Sequence, residues 1–245
     1  MAKNQFNTFA GSPIDFIVWD MDGTLTKPGA SRFVTPALEP KLVKMLECAD
    51  FAFQSARKLK NLVCPDFHIE RDTKKKILSI IAKQRSDALF VLDALSQKGI
   101  KHSIISNNSR KAVGDKVLDF LRLDSHFRST YFLENMDGLK KPNPNVLKKL
   151  IKDQDIAPEA TIWVVGDSKS DMLLALAANK MMPQTIVPVA MGEESAAGKF
   201  LFEGVDSDIN AVVLEEMHDI LNLMFSSDEI IDFEPSGFED EGWHL

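Results

Sequence analysis

Five short runs of apolar, mostly β-branched residues recur along the chain: "IDFIVW" at 14–19, "KHSIIS" at 101–106, "TYFLE" at 130–134, "TIWVV" at 161–165 and "TIVPV" at 185–189. Runs this short, with little polar alternation, read as strands buried on both faces. Amphipathic helical patterns lie between them, at 86–98 ending at Gly99, at 110–122, at 144–153 opening on a proline, and at 170–180. Stops at Gly and starts at Ser, Asp or Pro support these limits. Strands alternating with helices of about a dozen residues predict right-handed βαβ units, hence an α/β fold with a doubly wound, Rossmann-like parallel sheet. Such a sheet binds its ligands at the carboxyl ends of the strands.

Two stretches break the alternation. Residues 27–85 contain no convincing strand, and helical periodicity rich in Lys and Arg runs through "ALEPKLVKMLECADFAFQSARKLK" and "RDTKKKILSIIAKQ". They read as a helical insertion after the first strand, placed to cover the crevice. The final "SSDEIIDFEPSGFEDEGWHL" is acidic with scattered aromatics and reads as a loosely held tail. The expected organisation is therefore an α/β core from 1–26 and 86–225, a helical cap at 27–85 and an acidic tail at 226–245. A chain of 245 residues is long enough for one core with such an insertion.

Charge and cysteine content narrow the function classes. With 29 Lys and Arg against 36 Asp and Glu, the net charge of -7 argues against a phosphate-backbone binder. A small anionic partner stays compatible if the positive charge is local. Cys48 and Cys64 have no metal-ligand spacing and form no disulfide framework, as in a reducing compartment. The first residues lack the apolar stretch of a signal peptide, and no window approaches the roughly 20 apolar residues of a membrane helix. The expectation is a soluble, cytoplasmic protein without nucleic-acid or membrane partners, of unknown oligomeric state.

The strand tips bear the chemistry. In order they present Asp20 and Asp22 in "DMDGTLT", Ser106 in "SNNSR", Lys141 in "KKPNP", and Asp167 and Asp171 in "GDSKSD". A parallel sheet would gather all of these on one edge, where carboxylates without a cation would repel and raise one another's pKa. A divalent metal resolves that conflict. Mg²⁺ prefers oxygen ligands, which Asp20 and Asp167 can supply. Asp20 and Asp22, one residue apart in extended chain, point the same way, so Asp22 could face the substrate while offering its carbonyl to the metal. Phosphoryl transfer suits the set: one carboxylate attacks phosphorus, and a second protonates the leaving oxygen and then activates water. Asp20 is the nucleophile candidate and Asp22 the acid/base candidate. Ser106 with nearby backbone N–H groups offers donors, and Lys141 the cation, for the charge that develops.

In this order the four segments resemble the motifs of the haloacid dehalogenase-like (HAD) hydrolases, particularly their phosphoglycolate phosphatase-like branch, over roughly residues 14–190. The resemblance implies Asp20 as nucleophile, Asp22 as acid/base, Ser106 as phosphate ligand with Asn107 beside it in the substrate site, and Lys141 as charge stabiliser. Lys141 is preferred to Lys140 because it directly precedes Pro142. Mg²⁺ would be held by Asp20, the Asp22 carbonyl and Asp167, with Asp171 as a further ligand or as support behind it. The implied enzyme is a Mg²⁺-dependent phosphatase that hydrolyses a small phosphomonoester, a phosphorylated metabolite, through an aspartyl-phosphate on Asp20. Dehalogenases of the superfamily lack the second aspartate, so Asp22 points to phosphate substrates. A phosphotransferase or phosphomutase and a catalytically silent binding protein are the alternatives. Among blander readings, Ser106 and Asn107 could cap a helix starting near Ser109, and Ser168-x-x-Asp171 has capping-box spacing. Asn108 and Arg110 read as capping or solvated, and Arg57, Lys58 and Lys60 as a solvent face. His68, His102, His126, His218 and His244 show no ligand spacing and are assigned no role.

Overall fold

The computed structural model describes residues 14–26, 88–110, 118, 123–204 and 210–225 of the chain. The expected cap at 27–85, the acidic tail at 226–245 and all but residues 110 and 118 of the expected helix at 110–122 lie outside the described residues.

The strands are β1 (Phe16–Trp19), β2 (Lys101–Ile105), β3 (Ser129–Tyr131), β4 (Thr161–Gly166), β5 (Thr185–Met191) and β6 (Val212–Leu214). They form one parallel sheet in the order β3-β2-β1-β4-β5-β6. The helices are α1 (88–97), α2 (Asn145–Asp153), α3 (Lys169–Asn179), α4 (Ala196–Gly204) and α5 (Asp219–Met224).

The central strands are apolar throughout because both faces are covered. On one face Phe16 and Val18 of β1 join Leu147 and Leu150 of α2 and Leu174 and Ala178 of α3. On the other, Ile17 and Trp19 join Leu92 and Leu95 of α1 and Ile220 and Leu221 of α5. Each such aliphatic, fully buried, contributes about 1.5–3 kcal/mol over its exposed state.

The sheet therefore has no polar face to mark it as amphipathic. Its order reverses between β1 and β4, since the chain winds outward from β1 through β2 and β3, and from β4 through β5 and β6. In such sheets the crevice for ligands opens at that reversal. Trp19 pairs with Val165, and the next N–H, that of Asp20, donates to the Val165 carbonyl at 2.8 Å. The tips of β1 and β4 are thus level, and Asp20 and Asp167 leave the sheet side by side.

The five expected strands are present, with shifts at their ends. β1 begins at Phe16 rather than Ile14, and Asp15 instead accepts the Thr161 N–H on its carboxylate at 2.8 Å. β3 ends at Tyr131, after which Asn135 Oδ1 takes the Phe132 N–H at 2.6 Å and turns the chain into a short 3₁₀ segment. β6, α4 and α5 were not expected from the sequence. Among the described residues no helix is long and apolar enough to cross a membrane.

Candidate active site

The loop after β1 is anchored by its apolar residues so that its acids turn toward the crevice. Met21 and Leu25 are buried in the core, and the N–H groups of Leu25 and Thr26 both donate to the Met21 carbonyl, at 3.1 and 3.0 Å. Asp20 is buried beneath this turn, and Asp22 is half-buried at its rim. Gly23 has φ +86, and a Cβ there would lie 2.0 Å from Asp167 Oδ2. At the end of β4 a Cβ on Gly166 would lie 2.3 Å from Asp171 Cγ. Both loops close on the acids only because glycine stands at these two positions.

Lys141 joins the motifs. Its Nζ donates to Asp20 Oδ1 at 2.5 Å and to Asp171 Oδ1 at 2.6 Å, with all three side chains buried. Asp171, in the first turn of α3, uses its other oxygen as a cap. Oδ2 accepts from the Ser168 N–H at 3.2 Å and from the Ser168 hydroxyl at 2.5 Å. One carboxylate thus caps the helix start through Oδ2 and meets Lys141 through Oδ1.

Electrostatics follows from burial and from charge count. Asp20 is pushed up to about 7, chiefly by burial, with Lys141 opposing the rise and Asp171 and Asp167 adding to it. Asp167 is pushed up to about 6 by burial, then by Asp171 and Asp22. Burial pulls the Lys141 ammonium down, but Asp171 and Asp20 outweigh it and hold the group charged. One lysine cannot neutralise the acids around it.

Asp20, Asp167 and Asp171 each present a carboxylate oxygen within 4.8 Å of the others. Hard oxygen donors gathered around uncompensated negative charge fit a small divalent cation such as Mg²⁺. The two glycines keep this cluster compact.

Ser106 is buried at the tip of β2, where its N–H donates to the Tyr131 carbonyl at 2.9 Å and its Oγ accepts the Asn108 N–H at 3.3 Å. Its own hydroxyl proton is left uncommitted among the described residues. Ser109 and the Arg110 N–H bind the Glu134 carboxylate, and the Arg110 guanidinium donates to Thr130 Oγ1 at 3.3 Å. These contacts fasten the β2 loop to the segment around β3. Asn107, expected beside the phosphate, directs its carboxamide to the main chain of Lys141: Oδ1 accepts the Lys141 N–H at 2.8 Å and Nδ2 donates to its carbonyl at 3.1 Å. Sequence reasoning missed that pairing because the partners are 34 residues apart and leave no local pattern.

Of the histidines, His102 is a core residue. Its Nδ1 accepts from Trp19 Nε1 at 3.2 Å, and burial pulls the imidazole down to about 4. His126 pairs with Asp93 at 3.4 Å, and His218 lies near Glu216 and Asp219. His68 and His244 lie outside the described residues.

Comparison with known proteins bears on the family and the fold. A family model described as haloacid dehalogenase-like hydrolase matches residues 17–182. Among curated proteins none matches. A predicted phosphoglycolate phosphatase from Haemophilus somnus 129pt is similar in structure, with 19% identity, 88% of this chain and 100% of that chain covered, and a TM-score of 0.51. A HAD family hydrolase from Deinococcus radiodurans R1, solved with bound phosphate and sodium, has 17% identity over 86% of this chain and 94% of that one, at a TM-score of 0.50.

Proposed function

The chain belongs to the haloacid dehalogenase-like hydrolases, and within them we propose a Mg²⁺-dependent phosphatase that hydrolyses a small phosphomonoester through an aspartyl-phosphate on Asp20. One observation carries this reading: Lys141 is clamped between Asp20 and Asp171, at the centre of a cluster of acids it cannot neutralise alone.

Asp20, Asp167 and the Asp22 carbonyl would hold Mg²⁺, with Asp171 as a further ligand or as support behind them, and the ion when bound supplies the charge that keeps these acids ionised and attracts phosphate oxygens. Asp20 attacks phosphorus, the bond from phosphorus to the leaving oxygen breaks, and Asp22 protonates that oxygen. Asp22 is suited to this exchange because it is only half-buried and close enough to Asp167 to raise it. It then takes a proton from the water that attacks the phosphorus of the aspartyl-phosphate, and inorganic phosphate leaves with Asp20 restored. Lys141 balances the charge on the transferring oxygens, and the Ser106 hydroxyl donates to one of them. The partner on this reading is a small phosphorylated metabolite, with no nucleic acid or membrane involved, and the sparse cysteines favour the cytoplasm.

The test is phosphate release from a panel of phosphorylated metabolites, with Mg²⁺ or with chelator, against Asp20→Asn. Magnesium-dependent release from one or a few compounds is expected, and none from Asp20→Asn, which keeps the shape of the side chain and loses the nucleophile. Turnover retained by Asp20→Asn would end the covalent mechanism. Silence of the native protein toward every compound would shift the assignment to transfer onto a second substrate.

A further inference from the structure

The geometry points to Asn107 as the positioning residue for Lys141, a role that rests on the phosphatase reading of the site. The Lys141 segment is neither helix nor strand, so neither ladder fixes its backbone. Among the described residues, the hydrogen bonds to its main chain are the two from Asn107, one to its N–H and one to its carbonyl. Only one orientation of the carboxamide satisfies both, with oxygen toward the N–H and nitrogen toward the carbonyl. Two bonds from one rigid, planar group to both polar atoms of a single residue set the direction of its Cα–Cβ bond.

That direction matters because a lysine head rides on a flexible four-carbon stem. Asp20 and Asp171 fix the far end at 2.5 and 2.6 Å, and Asn107 fixes the near end. Asn107 is itself held by the sheet, as it follows Ser106, whose N–H donates to the Tyr131 carbonyl of β3 at 2.9 Å. The tip of β2 thereby sets the reach of a cation contributed from a different loop. Asn107 acts on catalysis through Lys141 and not by touching phosphate.

Asn107→Ala is compared with the native chain in three measurements. The first is thermal unfolding. The second is amine acylation of the folded, cation-free chain, read by mass spectrometry at Lys141 relative to exposed Lys140. The third is steady-state hydrolysis of an aryl phosphate with Mg²⁺. With two hydrogen bonds lost, labelling of Lys141 should rise roughly tenfold, with Lys140 and the unfolding midpoint little changed. The kcat should fall about 10²-fold, as expected when a catalytic group is misplaced, with KM within about threefold. Asn107→Asp keeps the acceptor for the Lys141 N–H and loses the donor to its carbonyl, so its labelling should be intermediate; it takes over the test if the alanine variant does not fold. Unchanged labelling of Lys141, or a raised KM with kcat preserved, would overturn the assignment and make Asn107 a phosphate contact. If the native chain does not hydrolyse the aryl phosphate, the phosphatase reading fails, and labelling alone decides whether Asn107 holds Lys141.

Discussion

Lys141 is a charge placed where charges are expensive. Taking an ammonium and two carboxylates out of water costs several kcal/mol per ion, and only close, hydrogen-bonded pairing offsets it. The two short contacts to Asp20 and Asp171 supply that pairing. Replacing the lysine with an apolar residue of similar length should therefore expose the cost of what remains. Lys141→Met is expected to lose about 3–5 kcal/mol of stability without cation at pH 8, because two buried acids are left facing each other. At pH 5 the loss should shrink, since Asp20, pushed up to about 7 even beside the lysine, is already protonated there and leaves one buried charge rather than two. Denaturant unfolding at the two pH values checks this. A loss of equal size at both would mean that the side chain acts by packing rather than by charge.

At the scale of elements the site is made by two strand tips and the glycines that let them approach. Asp171 cannot yield to a new methyl group at Gly166, since Lys141 and Ser168 hold both of its oxygens. Gly166→Ala is thus expected to cost about 1–3 kcal/mol through crowding, and to lower kcat with it by displacing Asp171 from Lys141. Urea unfolding and hydrolysis of an aryl phosphate measured on the same preparation test the two together; a normal kcat on a destabilised protein would show that the displacement does not reach the lysine. Asp20 and Asp167 were legible in the sequence because each follows an apolar run, and in a parallel sheet the end of a run is a place in space. The runs were legible because helices cover both faces of β1 and β4, which removes polar alternation. β6 and α5, at three and six residues, are too short for any periodicity to emerge. The link from Asn107 to Lys141 was hidden for another reason: it joins side chain to backbone across separate loops, and carboxamide chemistry does not identify its partner.

Over the whole molecule, a net charge of -7 means that an anionic substrate meets a field of its own sign, so local cations must reverse it. Lys141, paired to Asp20 and Asp171, leaves the cluster short of positive charge, and a divalent ion competing with protons for the same carboxylates would supply it. Asp20 and Asp167 are raised in the folded chain to about 7 and about 6 from an ordinary 3.8. Between pH 4 and 7 the folded state therefore holds more protons than the unfolded one, and cation-free stability falls as pH rises through that window. His102, lowered from 6.5 to about 4, contributes with the opposite sign: its share of stability is present above pH 6.5 and is lost as pH falls toward 4. The raw pH profile mixes these terms, but the difference between profiles with and without Mg²⁺ cancels the histidine, whose shift comes from burial and His126 rather than from the acids. That difference in thermal midpoint should be small at pH 5 and should grow through pH 6 and 7 as Mg²⁺ no longer has to displace protons. In Asp20→Asn it should be smaller at every pH, and its remaining rise should centre on the range of Asp167. A Mg²⁺ shift independent of pH would place the ion away from these carboxylates and remove the metal from the site.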